Sequence, residues 1–266
     1  MSKLLSRRQA PDKSGRTQHI TPASAQWQYV GFECFSLPAG KDLERNSGDR
    51  ELCLVLVGGR ASVQAGEQEW LDIGERAGPF DGTAPYAVYV PPGCDYRITA
   101  ESDLELAVCS APASGLYPAR LIRPQDCERS ERGTGTNRRL ICNILFGNMD
   151  AESLLVVEVI TPNGNWSSYP PHKHDTDDAP RETHLEETYY HRLSPPQGFA
   201  FQRVYTDDRS LDETMAVEDG DVVMVPRGYH PVGAPHGYDL YYLNVMAGPT
   251  REWIFHNDPA HEWMLD

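Results

Sequence analysis

The chain has 266 residues and a formal net charge of −15 at neutral pH. Such a charge disfavours nucleic acid and anionic membrane surfaces as partners, although a local group of arginines can still bind a small anionic metabolite. The sequence contains 22 glycines and 21 prolines, and hydrophobic residues make up 39% of it. This composition is typical of a turn-rich β protein, and the length allows one large domain or two small ones.

Residues 1–24 are basic and polar, and no apolar segment follows their charged residues. They therefore predict a flexible N-terminal arm rather than a signal peptide. No run of about 18 apolar residues occurs in the sequence, which predicts no membrane-spanning helix. The six cysteines form no CxxC pair, so we expect free thiols in a reducing compartment and a cytoplasmic protein.

Residues 25–118 predict short strands, because β-branched and aromatic residues alternate with turn residues in RELCLVLVGGRASVQA and YAVYVPPGCDYRITA. Residues 149–266 repeat this plan in LLVVEVITPNG, EETYYHRL, GFAFQRVYT and YDLYYLNVMAGP. Strands at this spacing, without helical periodicity, predict a β-sandwich or barrel in each half. The repeat is clearest where the segment 89–96 corresponds to 224–231, since each contains a turn rich in proline and glycine.

Residues 119–148 are interpreted as a linker that leads into the second barrel. They contain a glycine-rich segment with three arginines, RGTGTNRR. This segment is not a GxxxxGK[ST] phosphate loop, and no helix signal follows it. An arginine of the linker can nevertheless reach a substrate carboxylate.

A metal site is predicted from His172 and His174, which share one face of a strand because side chains alternate. Two imidazoles about 6–7 Å apart can reach one metal ion, and a carboxylate from a neighbouring strand is a common further ligand. Glu187 begins the next predicted strand, and His230 follows a Pro-Arg-Gly turn. Alone, an HxH pair is more often two surface histidines, Glu187 a solvated strand residue and His230 a turn residue. Histidine is scarce, however, with nine in the chain, and yet these residues occur together in this order.

The adjacent Glu186 is an alternative to Glu187 as the carboxylate. We prefer Glu187, because alternation then places Tyr189 and His191 on its face, inside the barrel. With Glu186 the inward residues would be Thr188 and Tyr190.

The order of HxH, glutamate and a late histidine resembles the cupin superfamily. The resemblance implies an all-β bicupin of two jelly-roll barrels, with the metal site in the C-terminal barrel and none in the first, which lacks HxH. It implies that His172, His174, Glu187 and His230 are the metal ligands. The loop between His174 and Glu187 is longer than is usual in the superfamily.

Longer stretches are similar to the 5-deoxy-glucuronate isomerase family; they include YPPHKHD, VPRGYHPV and RGTGTNRRLICNILFGN. This similarity covers nearly the whole chain and extends more distantly to 5-keto-4-deoxyuronate isomerase. It implies a metal-dependent aldose–ketose isomerase that converts 5-deoxy-D-glucuronate to 5-dehydro-2-deoxy-D-gluconate in myo-inositol catabolism. Cupins in general lead us to expect a homodimer through a sheet edge.

Three histidines and one glutamate suit one divalent metal ion, with Zn or Mn first and Fe, Co or Ni also compatible. Such an ion polarises the substrate carbonyl, and a general acid/base must serve the two neighbouring carbons. The candidates for this role are Tyr189, His191 and Tyr205, with a purely structural aromatic as the alternative for each tyrosine. A substrate carboxylate calls for arginine, because guanidinium binds it in a bidentate manner. Arg203, Arg227 and Arg181 are the candidates, with Arg139 also available and a surface ion pair as the alternative.

His184, His236, His256 and His261 have no partner at metal-ligand spacing and are expected to be structural or exposed. Two other functions use the same fold. A cupin dioxygenase needs a redox-active metal and an apolar pocket, whereas the strands with tyrosine and arginine favour a polar substrate. A non-catalytic sugar-binding cupin needs no intact ligand set.

Overall fold

The computed structural model describes residues 2–265 and is nearly all-β. The first half contains the strands β1 (Leu5–Ser6), β2 (Arg16–Ile20), β3 (Gly31–Leu37), β4 (Asp42–Asn46), β5 (Arg50–Gly58), β6 (Ala61–Ala65), β7 (Gln68–Ile73), β8 (Ala87–Val90), β9 (Asp95–Ala100), β10 (Leu104–Pro112) and β11 (Arg120–Ile122). The remaining strands are β12 (Glu128–Arg132), β13 (Arg139–Leu145), β14 (Leu155–Thr161), β15 (Trp166–Ser167), β16 (His172–Lys173), β17 (Glu186–Ser194), β18 (Phe199–Tyr205), β19 (Asp212–Glu218), β20 (Val222–Val225), β21 (Val232–Gly233), β22 (Asp239–Ala247) and β23 (His256–Asn257).

Helices are short in the described part of the chain. One α-helix, α1, covers Pro22–Ala25, and 3-10 helices cover Pro124–Asp126, Gly135–Asn137 and Glu262–Leu265. No helix among residues 2–265 has the length and apolar character needed to cross a membrane.

The chain forms two compact units. The N-terminal unit contains Gln9–Glu128 and Cys142–Val157. Its sheets have the strand orders β11-β8-β5-β10-β3-β2 and β4-β9-β6-β7. Its core is apolar and includes Leu52, Leu54 and Leu56 on one face of β5.

The C-terminal unit contains the residues up to Arg8, Arg129–Ile141 and the chain from Glu158 onward. Among residues 2–265 it contains two sheets and one strand pair. The larger sheet has the strand order β1-β20-β17-β22-β14-β13-β12, the smaller sheet has the order β15-β21-β18-β19, and the pair is β16-β23. β13 and β14 each contain residues of both units.

The two units have the same central strand order, β8-β5-β10 in one and β20-β17-β22 in the other. Val90 pairs with Leu52, and the corresponding Val225 pairs with Glu187. Counting along the strands, Leu54 and Leu56 therefore correspond to Tyr189 and His191. The apolar face of β5 corresponds to a polar face of β17, which explains why the sequence repeat carries potential metal ligands only once.

Two predicted boundaries differ from the structure. The predicted N-terminal arm contains β1, which pairs with β20, and β2, which pairs with β3. Short polar strands at a sheet edge have little apolar alternation, so composition alone indicated a flexible segment. The predicted linker at 119–148 contains strands β11, β12 and β13, and the chain returns to the N-terminal unit at Cys142.

All six cysteines are free; Cys94 is partly exposed and the other five are buried. Burial raises the pKa of the Cys53 and Cys109 thiols well above the usual range. These thiols are protonated near neutral pH, and they behave as small hydrophobic side chains of the N-terminal unit.

A buried carboxylate organises one turn of the N-terminal unit. Glu51 is fully buried and accepts hydrogen bonds from the Tyr89 hydroxyl at 2.8 Å and from the backbone amides of Glu152, Ser153 and Leu154 at 2.9, 2.7 and 2.6 Å. The three successive amides form a preorganised anion site, and the Glu51 carboxylate occupies it. Glu51 therefore fixes the start of β14.

Replacing Glu51 with alanine is expected to lower the free energy of unfolding by about 3–5 kcal/mol, because two buried and two partly buried donors lose their acceptor. Urea denaturation measures this loss. The matched control is Glu69→Ala on the exposed strand β7, where the change should stay within about 0.5 kcal/mol. A loss below about 1 kcal/mol in Glu51→Ala would show that the amides find other acceptors.

Candidate metal centre and active site

One face of β17 supplies the interior of the C-terminal site. Antiparallel pairing places Glu187 opposite Val225 of β20 and Tyr189 opposite Asn244 of β22. Glu187, Tyr189 and Asn244 are at most 3% exposed, although two of them are polar. Polar side chains at such depth need specific partners, which the neighbouring segments provide.

Three histidines come together at this face. Nitrogen atoms of His172, His174 and His230 all lie within 4.8 Å of one another. Oε2 of Glu187 is 3.1 Å from Nε2 of His174 and 3.1 Å from Nε2 of His230. The structure thus brings together the four residues predicted as metal ligands, and Glu187 rather than Glu186 lies beside the imidazoles.

Beyond the contacts that they make with one another, three of these candidate ligand atoms have no hydrogen-bond partner within residues 2–265. They are His174 Nε2, His230 Nε2 and Glu187 Oε2, and all three are buried. Leaving a buried polar atom unpaired costs about 1–3 kcal/mol, so three of them at one point need a common partner. Nitrogen and carboxylate donors that converge in this way fit a divalent metal ion.

In the imidazole rings of His230 and His174, the hydrogen bond of Nδ1 fixes the tautomer. Nδ1 of His230 lies 2.8 Å from the Gly228 carbonyl, and Nδ1 of His174 lies 3.3 Å from the Leu185 carbonyl. Nδ1–H therefore donates to the backbone and leaves the Nε2 lone pair free. The amide of Asn244 donates to Oε1 of Glu187 and orients the carboxylate.

Charge and burial set the protonation of the cluster. Burial lowers the pKa of His172 well below its usual range, and His230 and His174 lower it further. Burial also lowers the pKa of His230. For His174 the Glu187 carboxylate outweighs burial and raises the pKa. Burial would raise the pKa of Glu187, but His230 and His174 lower it to about 2.

A buried ion-pair network holds the ligand-bearing segments. Lys173 is only 7% exposed, and its Nζ contacts Asp175 Oδ1 at 2.7 Å and Glu182 Oε1 at 2.9 Å. The other oxygen of Asp175 accepts from the Gly228 amide at 2.8 Å. Lys173 faces away from the metal cluster, as strand alternation predicts, and its partners connect the HxH segment to the turn before His230.

Tyr189 lies next to the metal cluster. Its ring centroid is 5.8 Å from that of His230, and its hydroxyl is 3.0 Å from Oγ of Ser168. Burial raises the pKa of Tyr189 well above its usual range, and Glu187 raises it further. The backbone of Ser168 has a φ of 50°, a left-handed conformation that costs a serine about 1–2 kcal/mol. This strain aims the serine hydroxyl at Tyr189.

His191 lies beyond Tyr189 on the same strand face. Its Nε2 is 3.0 Å from Oε1 of Gln202, and its Nδ1 has no described partner. Burial lowers the pKa of His191 to about 4, so the ring is neutral at pH 7. Nε2–H donates to Gln202, which leaves Nδ1 as a buried acceptor.

Tyr205 occupies a different position. Its hydroxyl donates to Asp258 at 2.7 Å, and the guanidinium groups of Arg203 and Arg209 stack on its ring. Its backbone exchanges two hydrogen bonds with Tyr229, at 2.9 and 2.8 Å. Tyr205 thus supports the turn that carries His230, and no described contact joins its hydroxyl to the histidine cluster.

The three arginines predicted to bind the substrate carboxylate are exposed or ion-paired. Arg203 forms a bidentate pair with Asp212, at 2.8 and 2.7 Å. Arg227 is exposed and lies 3.5 Å from the Ser210 hydroxyl, and Arg181 is exposed near Asp178. Strand parity and proximity in sequence could not show that these side chains point outward.

Several residues of the site were not singled out from the sequence. Trp253 and Phe255 pack on His172, with ring centroids at 6.0 and 4.9 Å. The Tyr242 hydroxyl is 2.7 Å from Oγ of Ser167. Tyr242 and Asn244 are two residues apart on β22, so strand alternation could have predicted that they share a face. Trp253 and Phe255 lie in an irregular segment, where no periodic pattern predicts their position.

The histidines expected to be structural or exposed lie outside the cluster. His184 Nδ1 is 3.1 Å from the Asp175 carbonyl, and His236 is exposed. His256 lies on β23 opposite Lys173, and His261 is 3.9 Å from Asp258.

Comparison with known proteins identifies the family. The model of the KduI/IolB family matches residues 4–264. The chain belongs to the KduI/IolB family. A relative from Geobacillus kaustophilus, named 5-deoxy-glucuronate isomerase, is 53% identical over all of this chain and 96% of its own length. Another relative with that name, from Bacillus subtilis, is 48% identical over the full length of both chains.

Comparison with solved structures agrees with this family assignment. The crystal structure of an IolB-like protein from Salmonella typhimurium is 55% identical, covers 99% of both chains and has a TM-score of 0.96. Oxalate decarboxylase from Lactobacillus farciminis is only 14% identical, but it covers 97% of this chain and 89% of its own, with a TM-score of 0.68. The second likeness shows the fold alone, which is cupin-like. Membership of the KduI/IolB family, with isomerases of about half-identical sequence, makes the chain an isomerase.

Adding Mn²⁺ or Zn²⁺ to chelator-treated protein is expected to raise Tm, because a ligand that binds only the folded state stabilises it. The stabilisation is about 2.7 kcal/mol when free metal is a hundred times Kd. Differential scanning calorimetry with metal analysis measures the effect. His230→Ala should abolish it, whereas the control His236→Ala, which changes an exposed histidine, should retain it. An equal shift in both variants would place the metal elsewhere.

Proposed function

We propose that this KduI/IolB-family isomerase is metal-dependent and converts 5-deoxy-D-glucuronate to 5-dehydro-2-deoxy-D-gluconate. The observation that carries the proposal is the convergence of unpaired His174 Nε2, His230 Nε2 and Glu187 Oε2 atoms beside Tyr189. The names of the full-length relatives supply the substrate. The matching strand orders of the two units support a bicupin whose metal site lies in the C-terminal barrel.

His172, His174, His230 and Glu187 would hold the ion. When bound, a divalent ion supplies a Lewis acid that polarises the C1 carbonyl and C2 hydroxyl and makes the C2 proton more acidic. Asn244 fixes the Glu187 carboxylate, and backbone carbonyls fix the rings of His174 and His230. Little reorganisation of these side chains is needed during the reaction.

Tyr189 is the residue best placed for proton transfer to a substrate oxygen. Its raised pKa keeps the hydroxyl protonated at neutral pH, so Oη can donate while Ser168 orients it. His191 is neutral and offers Nδ1 as an acceptor, but it is fully buried two residues farther along β17. We therefore assign the acid role to Tyr189 and a supporting role to His191.

Aromatic side chains pack around the cluster. Trp253 and Phe255 pack on His172, and Tyr242 packs on Tyr189 with ring centroids 4.8 Å apart. Hydroxyls of Ser167, Ser168 and Tyr242 give this interior a polar lining. A polar lining suits a sugar acid better than the apolar, oxygen-accessible pocket that a dioxygenase needs.

The proposal is tested by NMR of metal-loaded protein with 5-deoxy-D-glucuronate under anaerobic conditions. 5-Dehydro-2-deoxy-D-gluconate should form with wild-type protein and not with His174→Ala, because the variant loses a proposed metal ligand. Circular dichroism checks that the variant folds, and metal analysis checks that it loses the ion.

Three other outcomes would each reject a part of the proposal. No product despite one bound metal ion per chain would reject this substrate, and 5-keto-4-deoxyuronate would then be tested. A product that forms only with oxygen would indicate a dioxygenase. Equal turnover by His174→Ala would reject metal dependence.

Tyr189→Phe is expected to lower kcat by about 10²–10⁴-fold, because a proton donor in the transition state is lost. KM and metal content should change little. In Tyr205→Phe, by contrast, the lost hydrogen bond to Asp258 should reduce stability by about 1–3 kcal/mol, with the smaller effect on kcat. Steady-state kinetics and urea denaturation separate the two. A larger fall in kcat for Tyr205→Phe would reverse the assignment.

A further inference from the structure

Arg139 is an arginine without a carboxylate partner in a strongly acidic protein. Among residues 2–265 no acidic side chain lies within ion-pair distance of Arg139 or Arg132, although the chain has 39 acidic residues and 24 lysines and arginines. The adjacent Arg138, by contrast, forms a bidentate pair with Glu131, at 2.6 and 2.9 Å. The positive charge of Arg139 is therefore left for a ligand to neutralise.

The loop before Arg139 is shaped around its guanidinium. Nη1 donates to both the carbonyl oxygen and Oδ1 of Asn137, each at 2.9 Å. A Cβ at position 133 would lie 2.8 Å from Nη1 and would also clash with the Asn137 carbonyl, so glycine is needed there. The φ of Gly133 is +76°, a conformation that also favours glycine. Both acceptors are neutral, so they orient the guanidinium without cancelling its charge.

The remaining nitrogens of this guanidinium are available. No described residue accepts a hydrogen bond from Nε or Nη2 of Arg139, and the side chain is only partly exposed. A partly buried guanidinium with two unpaired donors is suited to a carboxylate, which accepts two parallel N–H bonds.

The same loop is fastened beside the metal cluster. The amide of Asn165 donates to the Arg138 carbonyl at 2.8 Å, and β15 begins at the next residue. Ser167 of β15 is bonded to the Tyr242 hydroxyl. On the other side, the guanidinium of Arg132 is 5.8 Å from the Trp253 ring, which packs on His172.

The charge of Arg139 acts on Tyr242. Burial raises the pKa of Tyr242, and the positive charge of Arg139 opposes this increase. This effect agrees with the contacts through Asn165 and Trp253, which place the 132–139 loop beside the histidine cluster.

We propose that Arg139 is the substrate-binding residue that recognises the carboxylate of the sugar acid, with Arg132, beside Trp253, adding positive charge. This assignment rests on the proposed function, because it takes the metal cluster as the place of the reacting end. It replaces Arg203, Arg227 and Arg181, whose guanidinium groups are exposed or already paired. A cation beside the histidine cluster would select sugar acids over neutral sugars of similar size.

Steady-state kinetics of Arg139→Met, Arg139→Lys and the control Arg138→Met test the assignment. Arg139→Met should raise KM at least about thirtyfold, since truncating one partner of a buried charge pair costs 2 kcal/mol or more. Arg139→Lys should recover part of this loss, because it restores charge without the bidentate geometry. Arg138→Met should match wild type in KM, and all three variants should retain metal.

A binding measurement separates this assignment from the reaction. Calorimetry with metal-loaded protein compares D-glucuronate with its uncharged methyl ester. Wild-type protein and Arg138→Met should bind the acid more tightly, whereas Arg139→Met should bind the two alike. Equal or absent binding of both by wild-type protein, or unchanged discrimination in Arg139→Met, would overturn the assignment. If only Arg139→Met loses the discrimination and wild-type protein does not turn over 5-deoxy-D-glucuronate, the assignment of Arg139 is supported and the proposed substrate is rejected.

Discussion

The site depends on one buried carboxylate, Glu187, which lies against two imidazole nitrogens that have no other partner. Taking such a group out of water is unfavourable unless positive charge and hydrogen bonds surround it. The fold meets this condition from several directions: Asn244 comes from the adjacent strand, His230 from a turn, and His174 from the segment before β17. A metal ion would complete the arrangement by supplying the positive charge on which all four ligands converge.

The two units show how little of a β-fold needs to change for a site to arise. Both use the same central strand order, and the residues on the corresponding strand faces are Leu52, Leu54 and Leu56 in one and polar groups in the other. The leucine face stabilises its unit directly through the burial of apolar surface. The polar face contributes less in this way, and Lys173 with its partners Asp175 and Glu182 holds the neighbouring HxH segment.

Short-range patterns predicted the strands and the meeting of His172, His174, Glu187 and His230, because strand alternation determines which face a side chain occupies. They also favoured Glu187 over Glu186, in agreement with the structure. The arginines were different. Whether Arg203 points outward depends on its pairing with Asp212, and the position of Arg139 depends on a loop held by Gly133 and Asn137. Such contacts have no periodic signature. The N-terminal strands were missed for a related reason, since their partners lie far away in sequence.

The pairing of β1 with a strand far away in sequence affects synthesis of the protein. Leu5 of β1 pairs with Val223 of β20, so β1 has to wait during synthesis until more than 200 further residues are made before it can join the C-terminal sheet. At a translation rate of about 5–20 residues per second, the wait is roughly ten to forty seconds. During that interval an unpaired strand is exposed in the nascent chain. The basic and polar composition of residues 1–24, which made them resemble a flexible arm, keeps this segment soluble until β20 is available.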